Sequence, residues 1–375
     1  MAGRPALNDA LKLIEEWTVK QGAPGTGLAV WHDGRIVGER YVGEATPGTP
    51  VTAETLFPLA SVTKPVVAAA ALSLVENGLI SLDEPVARYV PEFRTGPDPS
   101  ATGIDLDLER LRPSITMRQL LCHVSGLPED VWSRERRYFS ENGIAGIIDE
   151  MCRVPLQTAP GEQLRYSNAG YGVLARLMEL VSGESVWATT QRAVLTPLDM
   201  ANTTPHPRVE HEPRLAFLAD SANAGTDHEA YNSTYWKNLG IPWAGLYGTP
   251  RDLVRFGGAC ISHEPVILSR TGMKLMTSDQ TDGVPGGVES AKVHWPVGSW
   301  GFGWEVKGDK RRHWTGEYTS PRTVCHFGQS GTLLWADPDT GIAIAVFSNR
   351  AVSSMWSFIH ARWARLSDAV TAALA

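Results

Sequence analysis

Apolar residues recur in two different patterns over the first 45 positions of the chain. Between residues 6 and 21 they follow mostly helical spacing, which predicts a helix. These positions are Leu7, Leu11, Ile14 and Val19. Residues 27–31 form a short apolar run, and residues 35–41 form a second strand-like segment after Asp33-Gly34, a pair typical of tight turns. The sequence therefore predicts a terminal helix followed by a β-hairpin.

The rest of the chain is helical in the middle and strand-rich towards its end. A helix is predicted from Ser61 to about Glu76, where Asn77-Gly78 stops it. Further helices are predicted at residues 116–123, 142–152, 168–182, 185–195, 250–261 and 269–277. Strands are predicted at 300–306, 322–327, 332–336 and 342–347, before a last helix at about 354–374. Residues 94–114 are rich in Pro, Gly, Asp and Thr and predict an excursion over the surface.

This order of elements favours an α+β fold over a doubly wound parallel sheet. An antiparallel sheet built from both ends of the chain, flanked by the terminal helices, accounts for it. We expect residues 1–95 and 295–375 to form this α/β lobe. We expect residues 96–294 to form a mainly helical lobe, with the active site in the cleft between the two lobes.

Composition and charge argue against some classes of binding partner and bear on the expected location of the protein. Of the 375 residues, 43 % are hydrophobic and 20 % are charged, as in ordinary folded proteins. A formal net charge of −7 argues against a nucleic-acid partner or an anionic membrane surface. The first residues have no apolar run of signal-peptide length, so we expect a cytoplasmic protein. The four cysteines form no C-x-x-C pair and are expected to be reduced.

Lysine is scarce, which makes one short motif noteworthy. Only 8 of the 34 basic residues are lysines, and one of them forms Ser61-Val-Thr-Lys64. One helical turn separates Ser61 from Lys64, so both side chains would share a helix face. A lysine in a dry site can lose its proton and activate a serine hydroxyl as a nucleophile. The alternative is a helix-capping serine beside a solvated lysine.

Two further polar segments are candidates for the same site. Tyr166-Ser-Asn168 lies between a turn and a helix, where Tyr166 could relay a proton and Asn168 could bind a substrate carbonyl. The alternative for Asn168 is a helix cap. His326-Phe-Gly328 lies on a predicted strand, where Gly328 allows close approach to the backbone. The alternative for His326 is a structural histidine. Neither H-x-x-x-H zinc spacing nor a G-x-S-x-G elbow occurs, so we expect no metal site and no α/β-hydrolase fold.

Taken together, these motifs resemble those of the serine β-lactamase and penicillin-binding-protein superfamily. The chain is most similar to the branch of class C β-lactamases and family VIII carboxylesterases, from about residue 20 to 350. The resemblance implies that Ser61 is the acylated nucleophile and that Lys64 and Tyr166 form the general-base pair. It also implies an oxyanion hole from the backbone N–H groups of Ser61 and Gln329. The segments that carry it are Leu56–Lys64, Leu79–Val86, Thr116–Pro128, Pro160–Asn168, Gly245–Leu253, Gly301–Trp304 and His326–Gly328.

The resemblance predicts a serine hydrolase that cleaves small esters or amides and needs no cofactor. His326 stands where many relatives have lysine, and a histidine is a weaker anchor for the β-lactam carboxylate. An acyltransferase or peptide cyclase of the same fold and a non-turnover penicillin-binding sensor stay open as alternatives, as does weak β-lactam hydrolysis. The oligomeric state stays open too. Six tryptophans lie in segments that border the cleft in the family, namely Trp132, Trp236, Trp243, Trp300, Trp304 and Trp314.

Overall fold

The computed structural model describes residues 6–19, 22–101, 103–131 and 138–375, which form two compact units. Unit 1 comprises residues 1–63, 195–270 and 306–375, and unit 2 comprises residues 64–194 and 271–305. Among the described helices, none has the length and apolar character that crossing a bilayer requires.

The α-helices and β-strands of the described residues have the following bounds. The helices are α1 Leu7–Leu11, α2 Glu15–Val19, α3 Thr63–Glu76, α4 Pro91–Thr95, α5 Leu106–Glu109, α6 Met117–Leu121, α7 Gly143–Arg153, α8 Asn168–Ser182, α9 Val186–Thr190, α10 Thr234–Leu239, α11 Pro250–Ile261, α12 Arg270–Met276 and α13 Val352–Leu374. The strands are β1 Gly25–His32, β2 Arg35–Thr46, β3 Thr49–Pro50, β4 Phe57–Pro58, β5 Leu164–Arg165, β6 Tyr247–Gly248, β7 Gly286–Val288, β8 Val293–Trp295, β9 Glu305–Val306, β10 Val324–Gly328, β11 Thr332–Asp337 and β12 Ile342–Ser348.

A seven-stranded sheet dominates unit 1, in the order β3-β2-β1-β12-β11-β10-β9. Strand β1 pairs antiparallel with β12, which joins the two ends of the chain as the sequence predicted. The predicted hairpin is also confirmed. Asp33 and Gly34 both have positive φ, 46° and 86°, the backbone that a two-residue hairpin turn requires. The predicted α+β class is therefore confirmed.

Helix α11 covers part of this sheet and contacts β1, β11 and β12. Two glycines allow the close approach. A Cβ atom at Gly257 would lie 3.3 Å from the Ala343 Cβ, and one at Gly258 would lie 2.4 Å from the Trp31 ring. The first helix, α1, contacts the last helix, α13, and both belong to unit 1.

Unit 2 contains α4 to α9 and a small sheet of β5, β7 and β8. Helix α7 packs against α8, and α6 packs against α8 on another side. Strand β5 pairs parallel with β7, in register from Leu164 with Gly286. This small sheet was not predicted, because each of its strands is only two or three residues long.

Two sequence expectations differ from the structure. The predicted strand over 300–306 is formed only by Glu305–Val306, because Gly303 has φ 78° and turns the chain. A Cβ at Gly303 would lie 2.8 Å from the Pro65 Cα, so this loop packs directly on α3. The contacts also divide the chain elsewhere than at residues 95/96 and 294/295. Helix α3 lies in unit 2 from Lys64 onwards, and residues 195–270 belong to unit 1.

All four cysteines are free thiols with buried side chains. Burial raises the pKa of the Cys122 thiol to about 12 and that of Cys152 to about 12. The thiolate is the reactive form of cysteine, and these two groups stay protonated near neutral pH.

We expect Cys122 and Cys152 to resist alkylation by iodoacetamide at about pH 8 in the native protein, because both the raised pKa and the burial remove the reactive thiolate. Peptide mass spectrometry after timed labelling measures this. The same thiols should label within minutes in guanidinium chloride. Rapid native labelling of either residue would contradict the described packing.

Candidate active site

Ser61 lies in a short 3₁₀ turn that leads into α3. Ala60, directly before it, has φ 47°, a left-handed conformation that is uncommon for a residue with a side chain. Such backbone persists where its surroundings fix it, and it is frequent at functional sites. Here Leu59 N–H donates to the Leu246 carbonyl at 2.8 Å, and Leu246 N–H donates to Thr63 Oγ1 at 3.2 Å. Backbone contacts within unit 1 therefore fix the chain on both sides of Ser61.

The turn between β10 and β11 packs on this same backbone. A Cβ at Gly328 would lie 2.4 Å from the Leu59 carbonyl oxygen and 2.3 Å from Thr332 Oγ1. Thr332 Oγ1 donates to the Leu59 carbonyl at 2.9 Å, and Ser330 Oγ donates to the Pro58 carbonyl. The sequence predicted that Gly328 lets a substrate approach the backbone closely, and this stays a prediction. In the structure the chain that precedes Ser61 packs closely on Gly328.

His326 lies on β10 opposite Leu334 and is 3 % exposed. Its Nδ1 is 2.7 Å from the Phe327 carbonyl oxygen. Because a carbonyl oxygen only accepts hydrogen bonds, Nδ1 carries the hydrogen, and in the neutral ring Nε2 is the acceptor. His326 therefore brings an acceptor rather than the fixed positive charge that lysine would bring.

Gln329 follows β10 in the chain, and its peptide orientation is set by two neighbouring bonds. Its carbonyl accepts from the Val352 N–H at the start of α13, at 2.8 Å. Gly331 closes the turn with φ 89° and donates its N–H to the Gly328 carbonyl at 3.0 Å. The predicted use of the Gln329 N–H for an oxyanion stays a prediction.

In unit 2, Lys64 is fully buried in the first turn of α3. Its Nζ donates to Asn168 Oδ1 at 2.8 Å. Nζ also lies 4.7 Å from the centroid of the Tyr166 ring and 5.6 Å from that of Tyr171. Burial disfavours the charged form of an amine, whereas the amide oxygen and the ring faces favour N–H groups directed at them. The amine is thus both desolvated and oriented.

Tyr166 and Asn168 flank a serine that caps α8. The Ser167 Oγ accepts from the Gly170 N–H at 2.8 Å and donates to the Pro128 carbonyl at 2.6 Å. The sequence alternative of Asn168 as the helix cap is therefore wrong, because the residue that caps α8 is Ser167, one position earlier. Because Ser167 reaches the backbone three positions ahead, the Asn168 side chain is available to Lys64.

His123 holds the Tyr166 segment in place, and the sequence assigned it no role. Its Nδ1 accepts from the Ser167 N–H at 3.0 Å. The His123 ring lies 4.5 Å from that of Tyr166 and 5.2 Å from that of Trp300, measured between centroids. Its φ of 62° is left-handed. The one available signal was its place in the segment Thr116–Pro128. Asp130, which contacts Asn168, gave no signal.

The tryptophans expected to border the substrate site are mostly core residues. Five of the six are at most 5 % exposed, which indicates packing. These are Trp236, Trp243, Trp300, Trp304 and Trp314. Trp132 lies outside the described residues. Trp300 contacts Tyr166, with ring centroids 5.8 Å apart.

A buried lysine amine against a phenol, three residues after a serine, is the kind of group set that serves acyl transfer through a serine. The β-lactamase family model matches residues 10–366, and the chain belongs to the β-lactamase family. Esterase EstB of Burkholderia gladioli is 29 % identical over 363 residues, which cover 88 % of this chain and 87 % of EstB.

Solved structures agree with this assignment. A β-lactamase from Mycobacterium bovis superposes with a TM-score of 0.64 at 26 % identity, covering 96 % of this chain and 97 % of that one. A penicillin-binding-protein homologue from Caulobacter crescentus gives a TM-score of 0.76 at 20 % identity, covering 100 % and 99 % of the two chains. At 20 % identity, the likeness to the Caulobacter protein shows a shared fold and no more.

We expect Gly328→Ala to destabilise the protein by about 1–3 kcal/mol, since the added methyl group would collide with the Leu59 carbonyl and with Thr332. Urea denaturation followed by circular dichroism measures the loss. An unchanged free energy of unfolding would show that this turn does not pack on the chain before Ser61.

Proposed function

We propose that the protein is a serine hydrolase that cleaves small carboxylic esters or amides through an acyl-enzyme on Ser61. The observation that carries the proposal is the buried Lys64 amine, held by Asn168 and facing the Tyr166 ring. Membership of the β-lactamase family and the likeness to Esterase EstB support it. The proposed substrate is a small molecule, and no step requires a cofactor.

In the proposed first step, Ser61 Oγ forms a bond to the substrate carbonyl carbon. Its proton passes to the Lys64–Tyr166 pair, and the backbone N–H groups of Ser61 and Gln329 stabilise the oxyanion. One such donor contributes on the order of 3 kcal/mol. The carbonyl reforms, the bond to the leaving alcohol or amine breaks, and Tyr166 protonates that group. Water then attacks the acyl-enzyme, releases the acid and returns the proton to Ser61.

His326 favours esters over β-lactams as the main substrates. Its Nδ1–H donates to the Phe327 carbonyl, so a neutral ring offers an acceptor and no positive charge to a substrate carboxylate. A protonated lysine at this position would provide that charge. We therefore propose that the acyl group of the preferred substrate is uncharged.

We expect the wild-type protein to hydrolyse a short-chain p-nitrophenyl ester with many turnovers and nitrocefin slowly. Ser61→Ala should lower kcat/KM for the ester by at least about a thousandfold, because it removes the nucleophile. Ser73→Ala is a matched control, since the Ser73 hydroxyl only donates to the Ala70 carbonyl within α3. It should keep wild-type activity.

The outcomes separate the alternatives. Equal activity of Ser61→Ala and wild type would refute the assignment of Ser61. A stable mass adduct without turnover would indicate a sensor instead of a hydrolase. Product formed only after an alcohol or amine acceptor is added would indicate an acyltransferase or a peptide cyclase.

A further inference from the structure

The side-chain amide of Asn168 is the centre of a small hydrogen-bond network in unit 2. Its Oδ1 accepts from Lys64 Nζ at 2.8 Å. Its Nδ2 donates to Asp130 Oδ1 at 3.0 Å and to the Tyr138 hydroxyl at 3.4 Å. These two acceptor oxygens are 3.2 Å from each other, so both lie on one side of Nδ2.

Asp130 determines which way this amide points. A carboxylate only accepts hydrogen bonds, so it requires the Nδ2 side of Asn168. The reversed amide would place Oδ1 against the carboxylate and N–H groups against the Lys64 amine. Asn168 is 6 % exposed and Lys64 is fully buried, so water is not a ready substitute for these lost bonds.

Tyr138 reinforces the same orientation. Its hydroxyl donates to Asp130 Oδ1 at 3.2 Å and accepts from Asn168 Nδ2. The residue is 8 % exposed and has φ 62°, a left-handed backbone that is uncommon for a tyrosine. The side chains of Asp130 and Tyr138 thus both face the Nδ2 side of the Asn168 amide.

We propose that Asp130 is a positioning residue for the Lys64 base. By fixing Asn168 with Oδ1 towards Lys64, it holds one N–H of the amine in a defined direction. The remaining hydrogen and the lone pair of the neutral amine are thereby oriented for proton transfer. This inference rests on the proposed function, in which Lys64 belongs to the base.

The network also limits the role predicted for Asn168. A substrate carbonyl that accepts from Nδ2 would compete with Asp130 and Tyr138 for its hydrogens. We therefore infer that Asn168 acts on Lys64 first, with substrate binding as a secondary use. Its effect on catalysis should appear in kcat more than in KM.

The test compares steady-state kinetics of Asp130→Asn and wild type on a p-nitrophenyl ester. An asparagine at 130 can donate to Oδ1, so the Asn168 amide is free to reverse. We expect kcat to fall by about 10- to 100-fold while KM stays within about threefold. Asp130→Glu keeps an acceptor-only carboxylate and should recover most of the lost kcat. Tyr138→Phe should give a smaller loss, because Asp130 still directs the amide.

Glu129→Gln provides a control for the change of charge. Glu129 is the neighbouring residue, and its carboxylate accepts from the backbone N–H and hydroxyl of Ser290. We expect its kcat to stay within about twofold of wild type, because its carboxylate is bonded to Ser290 and the substitution keeps the Glu129 backbone carbonyl that accepts from the Asn168 backbone N–H at 2.9 Å. Thermal unfolding of each variant verifies that it is folded.

An unchanged kcat in Asp130→Asn would overturn the inference, as would an equal fall in Glu129→Gln or a change confined to KM. If Asp130→Asn does not fold, Asp130→Glu and Tyr138→Phe decide: because both leave a carboxylate facing the Asn168 amide, a fall in kcat of about tenfold or more in either would overturn the inference. Failure of the proposed function is distinguishable, because the wild type itself would then form no acyl adduct on Ser61.

Discussion

The burial of one lysine amine is the constraint on which the candidate site depends. Lys64 is completely enclosed in unit 2, where a charged amine is costly and a directed N–H is favourable. Every contact described for it is an acceptor or a ring face: the Asn168 oxygen and the rings of Tyr166 and Tyr171. Burial raises the pKa of Tyr171 well above its ordinary value, and its hydroxyl donates to the Leu121 carbonyl. Of these two rings, that of Tyr171 is therefore held as a neutral phenol.

Unit 1 provides a different constraint, the close packing of backbone around Ser61. Gly328 contacts the Leu59 carbonyl where no side chain fits, and Thr332 donates to the same oxygen. The left-handed Ala60 lies between these contacts and Ser61. A fixed backbone holds the Cα–Cβ bond of Ser61 in a defined direction, which is the kind of preorganisation that the proposed acyl transfer would require.

Turn residues and the spacing of apolar residues predicted most helices and strands. They could not predict contacts between residues that are distant in the sequence. The hairpin at Asp33-Gly34 and helix α8 followed from turn chemistry and helical spacing. The expected strand over 300–306 failed because Gly303 turns a segment that is otherwise rich in strand-forming residues. The unit boundaries differed because Lys64 begins unit 2 within a continuous helix, which no change in composition marks.

The sequence predicted residues of the candidate site only where they belong to a short motif. Ser61, Lys64 and Tyr166 stand in short segments with a recognisable chemistry, whereas Asp130 and Tyr138 reach Asn168 from 38 and 30 residues away. Their part in the network depends on side-chain packing, which the order of residues does not reveal. The cytoplasmic location and the identity of the substrate stay predictions.

The proposed mechanism depends on acylation of Ser61. Labelling the native protein with a fluorophosphonate probe, followed by peptide mass spectrometry, tests this directly. We expect one probe adduct per chain, located on the peptide that contains Ser61 and lost when Lys64 is replaced by methionine. An adduct on another residue, or equal labelling without the lysine, would contradict it.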